Sequence, residues 1–146
     1  MGILDRVREF VGNQSAVKRV ADDEILIAEI ILLIRLLFAD GVLKPAETRY
    51  FQQLCVAAFN IPEDEFAEVM QFVRNFGYET SAEQAAAVFE EMPLLHKRRI
   101  LVRMLSVAKA DNELHQTELD MIRRTASLLG VSAEELLAAR EAGEAP

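Results

Sequence analysis

One cysteine, four prolines, six glycines and no tryptophan leave this 146-residue chain few of the devices that stiffen small domains. The single Cys55 excludes an internal disulfide and any multi-cysteine metal site. Basic side chains are the minority, 16 against 24 acidic for a net charge of −8. Phosphate neutralisation needs the opposite balance, so nucleic acid is not an expected partner. Long apolar runs are missing too. The most apolar stretch, Ile25 to Ala39, is interrupted by Glu29 and Arg35 and falls short of the roughly 20 residues that cross a bilayer. The first residues carry Asp5, Arg6, Arg8 and Glu9 among their apolar positions, so the core of a signal peptide is lacking and the expected setting is the cytoplasm. What the chain has is hydrophobic mass, 51% of its residues. At about 150 residues that suffices for one domain with a genuine core, burying about 68–70% of the unfolded surface.

Apolar residues recur at helical spacing and strand patterns are almost absent. Ile3, Leu4, Val7, Phe10 and Val11 form a stripe on a short N-terminal helix ended by Gly12, followed by a polar link. Packing on the domain, or a homodimer contact, is the expected use of that stripe; its balanced charge disfavours membrane contact by residues 3–11. Asp22 or Asp23 is placed to cap the central apolar helix. Pro45 suits the first position of a third helix with an inward stripe of Phe51, Leu54, Cys55 and Ala58, and Pro62 opens another through about Phe76, closed by Gly77. Ser81 with Gln84 makes a capping box, Pro93 opens a helix to about Ala110, and Ser132 with Glu135 caps the last one. The expectation is an all-α bundle of seven or eight helices. Residues 1–20 would be the N-terminal helix and link, 21–141 the domain and 142–146 a frayed tail.

At an offset of 71 the chain resembles itself. Ala39-Asp40-Gly41-Val42-Leu43-Lys44-Pro45-Ala46-Glu47 aligns with Ala110-Asp111-Asn112-Glu113-Leu114-His115-Gln116-Thr117-Glu118, with Ala, Asp, Leu and Glu coinciding. Ile30, Ile34 and Leu36 fall on Leu101, Leu105 and Val107. Two pseudo-symmetric halves, about residues 25–76 and 96–141, follow from this register. On it, Leu32, Leu36, Phe51, Leu54, Leu101, Leu105, Ile122 and Leu129 are the expected core.

These two A-D-G-x-(hydrophobic)-x-x-x-E turns make the chain resemble the tellurite-resistance TerB-like family over about residues 20–140, and the amino-terminal domain of certain membrane-anchored DnaJ-type co-chaperones is similar. The first turn carries the pattern in full at Asp40, Gly41, Leu43 and Glu47; the second has Asn112 where glycine is usual, a mild departure because Asn tolerates the left-handed backbone. The resemblance implies a bacterial, compact helical protein with a role in stress or envelope functions, and it supplies no catalytic residues.

Asp40 and Asp111 fall at helix C-termini, where the macrodipole disfavours negative charge by roughly 0.3–1 kcal/mol. Glu47 and Glu118 lie in the first turn of the following helix. Each turn can thus bring two carboxylates together across a short loop, and a divalent cation, Ca, Mg, Mn or Zn, at one or both turns would offset the repulsion. The spacing matches positions five to twelve of an EF-hand loop, but Leu36, Phe38, Val107 and Lys109 stand where upstream carboxylates are required, so a standard EF-hand is excluded. The competing expectation is structural: the aspartates accept turn N–H groups and the glutamates cap their own helices. No cofactor is then required.

Other candidates carry less. Cys55 lies on an inward stripe and reads as an inert thiol. His115 neighbours the second turn and reads as a surface side chain able to add one nitrogen ligand. Lys97, Arg98 and Arg99, following His96, form a basic run at a helix start, solvated or serving as a partner-docking patch. Glu29 and Arg35 lie about 240° apart around their helix and must find partners elsewhere. No nucleophile with a base, phosphate loop or zinc-spaced histidine pair is present. The expected function is a non-enzymatic, stress-associated module that engages a protein partner; the alternative is a metal-dependent hydrolase-like enzyme built on the paired turns.

Overall fold

The computed structural model describes residues 15–39, 41, 44–77, 80–110, 115–132 and 135. The stripe at residues 3–11, the tail, Asp40 and Asp111 lie outside the described residues. Among the described residues there are seven α-helices and no strand: α1 (Ser15–Ala21), α2 (Glu24–Leu37), α3 (Pro45–Ala58), α4 (Phe66–Gly77), α5 (Ala82–Ala87), α6 (Leu94–Ala108) and α7 (Gln116–Leu129).

Local chemistry sets most helix starts. Asp23 caps α2, its side chain accepting the Leu26 N–H at 3.0 Å. Ser81 and Gln84 exchange both bonds of a capping box at the start of α5. Pro45 is the first residue of α3, Pro93 immediately precedes α6, and Ser132 accepts the Glu135 N–H at 3.0 Å. Pro62 leads into a 3-10 turn, Glu63–Glu65, before α4 begins. Where a polar link was expected, α1 forms instead, because Ala16, Val17 and Val20 share one face and bury it. Arg19 fastens α1 by donating to the Phe59 and Asn60 carbonyls, at 2.8 and 2.6 Å.

Two helix ends use left-handed backbone. Gly130 (φ 72°) follows α7, and the Val131 N–H turns back to the Ala126 carbonyl at 2.9 Å. Asn60 (φ 55°) follows α3, and the Ile61 N–H returns to the Cys55 carbonyl at 3.1 Å. Ile61 and Val131 are both thereby buried.

The centre of the bundle is α2, which touches every other helix among the described residues. Nine of its 14 residues are buried, so it is apolar nearly all round, as a fully enclosed helix must be. All eight expected core residues are buried. Within this core Glu29 on α2 meets Arg103 on α6, whose Nη1 donates to both carboxylate oxygens at 2.8 and 2.6 Å. The guanidinium also lies 5.2 Å from the Phe59 ring centre. Burial pushes the Glu29 carboxyl above its ordinary range and Arg103 opposes that rise. Arg35 donates to the Thr80 carbonyl on the opposite side of the helix. Glu29 and Arg35 of the central helix thus both find partners on other segments.

Candidate metal centre

Helices α3 and α7 begin alike. Lys44 and His115 each stand immediately before the first helical residue in extended backbone, and neither side chain caps its helix. Glu47 and Glu118 are each third in their helix. A glutamate at that position ordinarily folds back onto the helix N-terminus. Neither does so: no carboxylate oxygen of Glu47 or Glu118 accepts a hydrogen bond from its own helix start. Both point inward, with relative exposures of 0% and 1%. The structural expectation that these glutamates are caps is therefore overturned, because the two helix starts converge and bury them against each other.

Lys44 Nζ lies 3.5 Å from Glu47 Oε1 and 3.5 Å from Glu118 Oε1, so one ammonium serves two carboxylates. His115, half-buried, completes the group: one ligand atom from each of Glu47, His115 and Glu118 lies within 4.8 Å of the others. Ligands bound to one ion at about 2.0–2.2 Å are separated by at most about 4.4 Å, so a small closing movement would let the three share an ion. Both oxygens of Glu118 are buried without a hydrogen bond, a condition that ordinarily costs about 1–3 kcal/mol or more for a charged group. Two carboxylate donors and one imidazole can therefore hold a divalent cation, with water completing the shell.

Each acidic turn is expected to pair its own aspartate and glutamate; Glu47 and Glu118, one from each turn, are brought together instead, and Asp40 and Asp111 lie outside the described residues. His115 is not a plain surface residue; the repeat register, which sets it opposite Lys44 beside the second glutamate, was the sequence feature that could have promoted it. An apolar groove of about 650 Å³ between α2, α3 and α4 is lined by residues such as Ile34, Phe51, Phe66 and Met70, and not by Glu47, His115 or Glu118. Cys55 is buried, and that burial, aided by the Glu29 charge, pushes its thiol up to about 12. Reactive-thiol chemistry is excluded at ordinary pH. Lys97 and Arg98 are half-buried along α6 while Arg99 is exposed, and Leu94 and Leu95 beside them are exposed.

A family model described as Tellurite resistance protein TerB matches residues 26–141. The chain belongs to the TerB family. The matched span runs from α2 through α7 and contains the whole Lys44, Glu47, His115 and Glu118 group, so this cluster lies inside the TerB domain. No curated protein and no solved structure matches the chain. Among the described residues of this TerB-family chain, no helix is long and apolar enough to cross a membrane.

Proposed function

We propose that this TerB-family chain is a non-enzymatic, stress-associated interaction module whose Glu47, His115 and Glu118 bind a divalent cation. The observation that carries the reading is the convergence of two fully buried glutamates from separate helix starts, with the Glu118 oxygens lacking hydrogen bonds and an imidazole beside them. The reading extends to two duplicated halves, residues 25–76 and 96–141, that place equivalent helix starts around one ion, and to a cytoplasmic bacterial protein whose cation state governs docking to a protein partner. Family membership fits a module of this kind. The hydrolase alternative finds no support in the family match.

An ion that binds only the folded state raises stability in proportion to the logarithm of its concentration. Titration of Mn, Zn, Ca and Mg into chelator-treated protein should therefore raise the melting temperature of the wild type, and that rise should vanish in a Glu47→Gln/Glu118→Gln variant. No shift with any ion up to millimolar levels, or an equal shift in the variant, would refute the site. A partner retained from host lysate with ion present and released by chelator would tie cation state to docking.

A further inference from the structure

We propose that Lys44 is a displaceable counter-ion: its ammonium holds the place that a first-row transition-metal dication takes between Glu47, His115 and Glu118, and binding of that ion drives the Lys44 side chain out to solvent. This deepens the cation reading above and rests on it.

Three observations carry the proposal. The ammonium is centred on the two carboxylates, 3.5 Å from an oxygen of each. An ion ligated by both glutamates would sit within a few ångströms of Nζ, and two like charges at that range repel strongly in a buried setting. One of them must leave, and Lys44 is the one able to do so. Its side chain is 15% exposed, unlike the glutamates, and it has a four-carbon stem rooted outside the helix. The Glu118 oxygens, buried without hydrogen bonds at ion-pair range from Lys44, show that the ammonium answers the charge without satisfying the lone pairs. A directly ligated metal would do both.

The donor set names the class of ion. Calcium takes six to eight oxygens, and magnesium keeps a rigid octahedron of oxygens and water. An imidazole nitrogen with two carboxylates favours Mn, Fe, Co or Zn. The two helix starts thus differ in a functional way: where α7 offers a ligand in His115, α3 offers a resident competitor in Lys44.

Calorimetric titration of the chelator-treated full chain with Zn and Mn, with Lys44→Met in parallel, tests the exchange. The methionine keeps the stem and removes the charge, and its affinity should exceed that of the wild type by tenfold or more. A second readout needs no variant. Brief acylation of wild-type protein, followed by peptide mass spectrometry, should show Lys44 becoming more reactive when Zn is added, while Lys18, Lys97 and Lys109 stay unchanged. Wild-type binding with Lys44→Met no tighter, or with Lys44 labelling unaltered by Zn, would overturn the exchange and leave the cation site standing. Absence of binding in both proteins would overturn the site and the exchange together.

Discussion

At Glu29 a buried carboxylate receives two hydrogen bonds from one guanidinium, at 2.6 and 2.8 Å, and the two charges cancel. Where α3 and α7 begin, two carboxylates buried as deeply share one ammonium at 3.5 Å, and the Glu118 oxygens accept no hydrogen bond. Both places hold acid groups inside a helical bundle, yet in the first the carboxylate is fully hydrogen-bonded, although Arg103 Nε is buried without a hydrogen bond, while in the second the Glu118 oxygens keep unused lone pairs. Removing charge should therefore damage the first and relieve the second. Depth of burial alone does not separate a structural ion pair from a binding site; the balance of charge and hydrogen bonds does.

The largest effect belongs to the closed pair. Arg103→Met strands the Glu29 carboxylate in the core and should cost about 3–5 kcal/mol, read by urea unfolding at neutral pH, while Glu29→Leu combined with Arg103→Met should recover most of that loss. A cost below about 1 kcal/mol for the single variant would erase the contrast. The same variant carries a pH signature. Burial already raises the Glu29 carboxyl and Arg103 opposes that rise, so its removal should raise the group further. With the folded value above the unfolded one, the stability linked to protonated Glu29 is complete below the ordinary range near 4.5 and is lost as pH rises through the folded value. Arg103→Met should accordingly fall further behind the wild type at pH 7.5 than at pH 4.5.

The open cluster should respond in the opposite sense. In chelator-treated protein, Glu118→Gln removes a buried carboxylate whose oxygens accept no hydrogen bond and should raise stability by about 1 kcal/mol or leave it unchanged. A loss as large as that of Arg103→Met would place both centres in one structural class. The smallest effect is expected at Cys55, which borders the closed pair. With its thiol pushed up to about 12, a disulfide reagent at pH 8 should label it only as fast as the protein unfolds.

Helix starts were legible in the sequence because a cap is a local event. Asp23, Pro45 and Ser81 with Gln84 each act within four residues of themselves, while the helix expected after Ser132 lies, apart from Glu135, outside the described residues. The core followed from helical stripes and the repeat register for the same reason. The roles of Glu47 and Glu118 were half legible. Their spacing from the acidic turns marked them, but a third-position glutamate most often serves its own helix, and nothing local shows that two helix starts meet. The position of His115 beside the two glutamates was not legible on the same ground, since the residue before a helix is usually exposed. The pairing of Glu29 with Arg103, 74 residues apart, depends wholly on how α2 and α6 pack.

The central position of α2 also bears on how the molecule comes apart. A helix at the margin can fray or detach while the remainder stays folded, and its amides then exchange with solvent through that local opening. Because α2 borders all six other helices among the described residues, no smaller unit of them can leave and take it along. The amide hydrogens of Leu32 and Leu33 should exchange only when the entire bundle opens, so their exchange rates would report the global unfolding free energy directly.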